Sequence, residues 1–108
     1  MSYVTAHILD AAAGRPAADV EVTLADEKDN RVATSQTNAD GRVVDLGPDL
    51  LDPGVYTVRF GSGDYFAGQQ VECFHPHVAV TFTVVAGQAH YHIPLLLSPY
   101  AYTTYRGS

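Results

Sequence analysis

The chain has 108 residues, the length of one domain, and 46% of them are hydrophobic, which excludes an intrinsically disordered protein. Six Lys and Arg residues against twelve Asp and Glu give a formal net charge of −6, so the chain lacks the basic surface with which proteins bind nucleic acids or anionic membranes. A single cysteine excludes a scaffold held by internal disulfides.

The termini and the apolar runs favour a soluble protein of a reducing compartment, which we expect to be the cytoplasm. Residues 1–7 show no basic region followed by a long apolar run, so no signal peptide is expected. The apolar run at residues 94–97 is far too short to span a bilayer, and residues 105–108 carry no lipidation or peroxisomal signal. With the acidic charge, these features predict no membrane partner and no nucleic-acid partner.

A period of two, in which apolar residues alternate with mostly polar ones, predicts short β-strands along most of the chain. In the first strand Thr5, His7 and Leu9 alternate with apolar neighbours. About eight such runs, separated by turns rich in Gly, Asn, Asp and Pro, predict an all-β fold, a β-sandwich formed by one domain over residues 1–108. The clearest further runs lie at residues 20–24, 55–60, 77–85 and 90–97.

One short helix is predicted among the strands. Asp64 can accept hydrogen bonds from the free N–H groups of a first helical turn. We therefore expect Asp64 to cap a helix that continues through residues 65–67 and ends near Gln70. No other segment of the sequence has the pattern expected of a helix.

Two pairs of histidines have a spacing that suits chemistry. His90 and His92 lie two apart in a strand, so both imidazoles point to the same face. Such a pair is compatible with zinc ligation, with acid–base catalysis near neutral pH, or with a polar strand surface. His75 and His77 repeat the spacing, but a proline separates them and no zinc-finger spacing follows, so surface positions are expected. A zinc-binding module that uses all four histidines is the alternative.

His7, Arg42 and the C-terminal residues are less informative by themselves. His7 stands among apolar residues of the first strand, where a histidine is typical of a satisfied core or edge position. Arg42 follows the turn of residues 38–41 and opens the next strand, a position that is usually solvated. The tyrosines near the C-terminus indicate an ordered final strand, which can bring Tyr105 or Ser108 into a site.

Five motifs of the chain occur in the same order in one protein family. They are an N-terminal strand motif, a turn followed by an arginine, a helix-to-strand segment, a block around the penultimate strand and a C-terminal tetrapeptide. Together they extend across nearly the whole chain. In that order they lie at residues 5–10 with 14–17, 37–42, 65–66 with 74–78, 90–100 and 105–108.

Through these motifs the chain resembles the 5-hydroxyisourate hydrolases, also called transthyretin-like proteins. The resemblance implies a transthyretin-like sandwich of two four-stranded sheets with one short helix. It also implies a homotetramer, a dimer of dimers with active sites between the dimers. The implied reaction is hydrolysis of 5-hydroxyisourate to 2-oxo-4-hydroxy-4-carboxy-5-ureidoimidazoline, a step of urate breakdown in purine metabolism, with no metal and no cofactor. One departure is Gln70, since the family has glycine at the end of the helix.

The resemblance also implies which side chains act on the substrate. Two histidines would divide the proton transfers, while an arginine would bind carbonyl oxygens and stabilise developing negative charge. In transthyretin, the hormone carrier of this fold, other residue types occupy these positions, so the motifs favour an enzyme. A carrier of small ligands without turnover is the alternative. The catalytic positions fall on His7, Arg42, His92 and Ser108, and the substrate-binding positions on His7, Arg42, Tyr105, Arg106 and Gly107.

Overall fold

The alternating runs of the sequence form two β-sheets whose apolar faces meet in a shared core. The computed structural model describes residues 2–108, which contain nine strands and one helix, so the predicted β-sandwich is confirmed. The elements are β1 (Val4–Asp10), β2 (Arg15–Pro16), β3 (Glu21–Ala25), β4 (Arg31–Gln36), β5 (Arg42–Val43), β6 (Gly54–Phe60), α1 (Ser62–Ala67), β7 (Val78–Val84), β8 (Tyr91–Leu97) and β9 (Tyr102–Thr104).

One sheet has five strands and the other has four. The five-stranded sheet runs β2-β1-β8-β9, with β5 also paired to β1, and the four-stranded sheet runs β4-β3-β6-β7. β1 pairs in parallel with β8 along its whole length, so the two-residue strands β2 and β5 follow one another along its other edge. This divided edge is the difference from the two four-stranded sheets that the family resemblance implied.

The core lies between the two sheets, and alternation decides which side chains enter it. Successive side chains of a strand point to opposite faces, so one face of each sheet is buried. On β1, Ala6 and Ile8 are almost wholly buried in the core, whereas His7 lies on the opposite face and is half-buried. Large buried side chains come from both sheets: Ile8, Leu24, Val58, Phe60, Leu95 and Leu97.

The helix begins three residues earlier than the sequence predicted. Gly61 is its N-cap residue and Ser62 its first residue, so Asp64 lies within the first turn and the prediction that Asp64 caps the helix is wrong. The backbone N–H of Gly61 still donates to the carbonyl of Glu21, 2.8 Å away, and this bond continues the β3–β6 pairing up to the helix. No helix within residues 2–108 is long and apolar enough to cross a membrane.

The helix ends at Ala67, three residues before the predicted end near Gln70, and Gln70 adopts a backbone conformation that favours glycine. Gln70 has φ of 59°, in the left-handed region. The N–H of Gln70 donates to the carbonyl of Ala67 and the N–H of Val71 to that of Phe66, both at 3.0 Å. This pair of bonds is the Schellman motif, which usually places glycine where Gln70 stands. The departure from the family's glycine therefore keeps the turn and adds strain to it.

We expect Gln70→Gly to stabilise the protein. Relief of the left-handed strain should exceed the larger unfolded-state entropy of glycine and raise the free energy of unfolding by about 0.5–1 kcal/mol. Gln69→Gly is the matched control, because Gln69 is also exposed but does not have positive φ, and it should lower stability. Urea unfolding of both variants at equal protein concentration measures the difference. Equal effects of the two substitutions would contradict this explanation.

Candidate active site

Strand register brings polar side chains together on the outer face of the five-stranded sheet. His7 of β1 lies opposite Arg42 of β5, and Thr5 of β1 lies opposite His92 of β8. Residues opposite each other on neighbouring strands have side chains on the same face. The alternate residues of β1 face the core, so this group faces away from it. Two residues predicted from distant motifs, His7 and Arg42, are therefore direct neighbours, with His92 one strand away.

The turn before β5 holds Arg42 against β1. The side-chain oxygen of Asn38 accepts hydrogen bonds from the N–H groups of Asp40, at 2.9 Å, and of Arg42, at 3.0 Å. Gly41 has φ of 74°, and its carbonyl accepts a 2.7 Å hydrogen bond from the N–H of Ile8. A Cβ on Gly41 would collide with the Ile8 carbonyl oxygen. The turn needs glycine because it packs its backbone directly on the first strand.

The same turn determines which nitrogen of His7 carries a proton. Nε2 of His7 lies 3.0 Å from the carbonyl oxygen of Asp40. A carbonyl oxygen only accepts hydrogen bonds, so Nε2–H is the donor. In the neutral imidazole the lone pair therefore stands on Nδ1.

His92 is held by hydrogen bonds from two sides. Its Nδ1 lies 2.8 Å from the Thr5 hydroxyl, and its backbone carbonyl accepts a 2.9 Å hydrogen bond from the N–H of Gly107. Gly107 packs so closely on the imidazole that a Cβ there would lie 2.6 Å from Cδ2 of His92. The C-terminal tetrapeptide thus passes over the ring, and a glycine at position 107 leaves room for it. Nε2, on the far side of the ring, has no hydrogen-bond partner among residues 2–108.

The surroundings of His92 favour its neutral form. Burial is the main cause that lowers the pKa of the His92 imidazole below its usual value. Neighbouring groups that can carry positive charge, His90, Arg42 and His7, lower this pKa further. At neutral pH the imidazole is therefore unprotonated and able to accept a proton.

The four residues of the C-terminal tetrapeptide do not all lie beside His92. Tyr105 and Ser108 are exposed, and Gly107 lies opposite His92 across an isolated β-bridge. The guanidinium of Arg106 instead lies 4.7 Å from the ring centre of Tyr91, a residue with its ring in the core, and donates to the side-chain oxygen of Gln88 at 3.0 Å. Arg106 thus extends towards the opposite side of the sheet from His7 and Arg42.

The remaining histidines lie in different places. His90 is half-buried, and its Nε2 lies 3.0 Å from the Thr5 hydroxyl that also contacts His92. His75 packs edge-on against the Tyr102 ring, and His77 lines a surface groove of about 510 Å³ on the four-stranded sheet. Within residues 2–108 there is no group of three or more His, Cys, Asp or Glu residues arranged to hold a metal ion.

Sequence reasoning did not single out Thr5, which contacts both His90 and His92. Thr5 stands two residues before His7, so strand alternation alone would have put its hydroxyl on the same face as the predicted histidine. Its contact with His90 and His92 depends on β1 lying beside β8. Thr5 and His92 are 87 residues apart in the sequence. This pairing has no local sequence signal.

Comparisons of the sequence and of the structure with known proteins relate this chain to one protein family. Residues 4–107 match the sequence model of the HIUase/Transthyretin family. A probable 5-hydroxyisourate hydrolase of Schizosaccharomyces pombe is 47% identical to this chain, over 97% of this chain and 90% of that protein. The structure of Klebsiella pneumoniae 5-hydroxyisourate hydrolase superposes with a TM-score of 0.91 at 34% identity, over 100% of this chain and 94% of that one.

A solved transthyretin is equally similar in fold. Sea bream transthyretin in complex with thyroxine also superposes with a TM-score of 0.91, at 32% identity, over 97% of this chain and 94% of that one. The transthyretin-like fold is therefore confirmed. Because a hydrolase and a thyroxine complex share this fold, function has to be inferred from the side chains of the site.

We expect Arg42→Gln to raise the pKa of His92. The substitution removes a positive charge that disfavours the imidazolium, so protonation of His92 becomes easier. Arg59→Gln is the control, since Arg59 lies on the other sheet, 3.6 Å from Asp29. An NMR titration of the His92 ring protons measures both variants. A His92 pKa that stays unchanged in Arg42→Gln would contradict the electrostatic contribution of Arg42.

Proposed function

Because this chain belongs to the HIUase/Transthyretin family, we propose that it is a 5-hydroxyisourate hydrolase that uses His7, Arg42 and His92. The product is 2-oxo-4-hydroxy-4-carboxy-5-ureidoimidazoline, and the step belongs to urate degradation. The observation that carries the proposal is the grouping of two imidazoles and one guanidinium on a single outward sheet face, next to the C-terminal tetrapeptide. The reaction uses the side chains of these residues as acid, base and charge-stabilising groups.

His92 is the general base in this proposal. Hydrolysis opens the ring at an acyl–nitrogen bond: water adds to the carbonyl carbon, the carbon–nitrogen bond breaks, and the departing nitrogen takes a proton. The lowered pKa keeps His92 unprotonated at neutral pH, and Nε2 is the ring nitrogen that Thr5 does not contact. Nε2 accepts the proton of the attacking water and then gives it to the departing nitrogen, so the proton balance closes.

Arg42 and His7 bind and orient the substrate. The guanidinium of Arg42 binds carbonyl oxygens and stabilises the oxyanion that forms when water adds. Its backbone is held beside His7 by the Asn38 turn, and its charge is close enough to lower the pKa of His92. With Nε2–H donated to Asp40, the Nδ1 lone pair of His7 accepts a hydrogen bond from a ring N–H of the substrate. The hydroxyl groups of Tyr105 and Ser108 donate further hydrogen bonds to the ring oxygens.

The proposal extends to assembly, location and domain organisation as the family resemblance implies them. We propose a homotetramer, a dimer of dimers, in which the outward sheet face lies between dimers, and a cytoplasmic enzyme whose one hydrolase domain comprises residues 1–108. Only 17% of the residues are charged, fewer than the usual quarter or so, which agrees with burial of surface between subunits. Light scattering coupled to size-exclusion chromatography tests the assembly.

Fresh 5-hydroxyisourate distinguishes the hydrolase from a carrier. Its ultraviolet absorbance decays spontaneously in solution. A hydrolase accelerates the decay in proportion to protein concentration, and this acceleration persists after treatment with a chelator if no metal takes part. A protein that binds small ligands without turnover, as in the sea bream transthyretin complex with thyroxine, leaves the decay unchanged.

We expect His92→Asn to lower kcat by about 10²- to 10⁴-fold, the usual contribution of general acid–base catalysis. His7→Asn should lower kcat/KM by a comparable order, since it removes a group that orients the substrate. His77→Asn is the control, because His77 lies in the groove of the four-stranded sheet and should leave turnover unchanged. The absorbance assay measures all three, with circular dichroism to check folding. Wild-type turnover in His92→Asn would remove this residue from the mechanism.

We expect Gly107→Ala to impair catalysis without unfolding the protein. The new methyl group would lie 2.6 Å from Cδ2 of His92 and 3.0 Å from Cγ of Pro94, so the imidazole must shift. A shift of the base should lower kcat by on the order of tenfold or more. Gly68→Ala is the control, since it has a helical φ of −63° and its added Cβ would come no closer than 3.4 Å to another atom. Equal kcat in the two variants would contradict the role given to Gly107.

A further inference from the structure

Thr5 forms a polar bridge between two imidazoles. Its hydroxyl lies 2.8 Å from Nδ1 of His92 and 3.0 Å from Nε2 of His90. The His90 and His92 rings stack nearly parallel, 20° apart in plane, with centroids separated by 6.3 Å. The rings are too far apart for a direct hydrogen bond, and the Thr5 oxygen lies within reach of both.

Burial and backbone pairing hold this bridge in place. Thr5 is only 7% exposed, so bulk water hardly competes for its hydroxyl. It lies directly opposite His92 in the β1–β8 ladder, and the N–H of Tyr91 donates to the carbonyl of Tyr3 at 2.9 Å, just beyond His90. Thr5 and His92 are therefore held by two regular strands, and His90 directly precedes β8.

The chemistry of a hydroxyl couples the two imidazoles. A hydroxyl has one proton to donate, so it cannot donate to both rings at once. When Thr5 donates to Nε2 of His90, the second contact is made by Nδ1–H of His92 donating to the Thr5 oxygen. In that arrangement Nε2 of His92 is unprotonated, which is the form that a general base requires.

We propose that Thr5 and His90 form a proton relay behind His92, in which the Thr5 hydroxyl fixes the tautomer of His92 and passes a proton to His90. The relay part of this inference rests on the proposed hydrolase function. When Nε2 of His92 takes a proton from water, Nδ1–H moves to the Thr5 oxygen, and the Thr5 proton moves to Nε2 of His90. The transfers reverse when His92 gives its Nε2 proton to the departing nitrogen, and the resting arrangement is restored.

The relay moves positive charge away from the guanidinium. Arg42 lies opposite His7, further along β1 than Thr5, whereas His90 lies on the other side of His92. Transfer from His92 to His90 therefore carries the charge about one ring spacing, 6.3 Å, away from the Arg42 side of the site. Since like charges repel, this transfer makes proton uptake by His92 easier while Arg42 stays close to the reacting carbonyl.

Two substitutions at Thr5 separate the hydroxyl from the shape of the side chain. Thr5→Val keeps the branched shape and removes the hydroxyl, whereas Thr5→Ser keeps the hydroxyl and removes a methyl group. We expect Thr5→Val to lower kcat by on the order of tenfold or more with KM little changed, and Thr5→Ser to stay within a few-fold of wild type. A residue that only packs would give the reverse order, and that result would overturn the proposal.

His90→Gln tests the relay separately from the tautomer. The glutamine side-chain oxygen can still accept the Thr5 proton in a hydrogen bond, but it cannot hold that proton as an imidazolium does. We expect kcat to fall by on the order of tenfold while the His92 tautomer is retained. His90 is half-buried and belongs to no core cluster, so the variant should fold. Unchanged kcat would overturn the relay.

Nitrogen NMR of the substrate-free protein measures the tautomer directly. Two-bond proton–nitrogen correlations of labelled His92 should show one neutral tautomer, with Nδ1 protonated, in the wild type and in Thr5→Ser. Thr5→Val should show a mixture of tautomers, and a single unchanged tautomer there would overturn the role of Thr5. This measurement needs no turnover, so failure of the wild type to hydrolyse 5-hydroxyisourate would refute the hydrolase and its relay while the tautomer result still decides what Thr5 does.

Discussion

The parallel pairing of β1 with β8 is the interaction on which the candidate site depends. It places Thr5 opposite His92 and His7 opposite Pro94, and β5 adds Arg42 opposite His7 along the other edge of β1. A slip of one residue would turn these polar side chains into the core and their apolar neighbours outward. The buried apolar face of β1 therefore holds the polar face in register, and core packing and site geometry have the same cause.

The candidate site places a positively charged side chain beside an imidazole whose neutral form is favoured. The Asn38 turn and the backbone contact of Gly41 with β1 hold Arg42 in position, whatever occupies the site. Burial of His92, together with this neighbouring charge, lowers the pKa of its imidazole. In the proposed mechanism, the guanidinium that stabilises the oxyanion also keeps the adjacent imidazole able to accept a proton, so the two functions support each other.

Similarity of fold to known proteins does not by itself decide between catalysis and ligand binding. The chain superposes equally well on a hydrolase and on a transthyretin with thyroxine, both with a TM-score of 0.91, so the fold is compatible with catalysis and with binding. The proposed hydrolase function therefore depends on the side chains of the site, where Nε2 of His92 has no hydrogen-bond partner within residues 2–108 and His7 has a defined tautomer. The proposed mechanism uses these particular atoms.

The sequence by itself determined the strand pattern, the shared face of His90 and His92, and the turn that precedes Arg42, because alternation and turn chemistry are local properties. Its local signals misplaced the helix start at Asp64, since a backbone bond from Gly61 to the neighbouring strand was not visible in them. The family resemblance named the site residues but not their contacts. Only the tertiary structure decided that Thr5 meets His92, a partner 87 residues away, and that Arg106 packs on Tyr91. Such contacts depend on which strands are neighbours and in what register, and long-range pairing sets both.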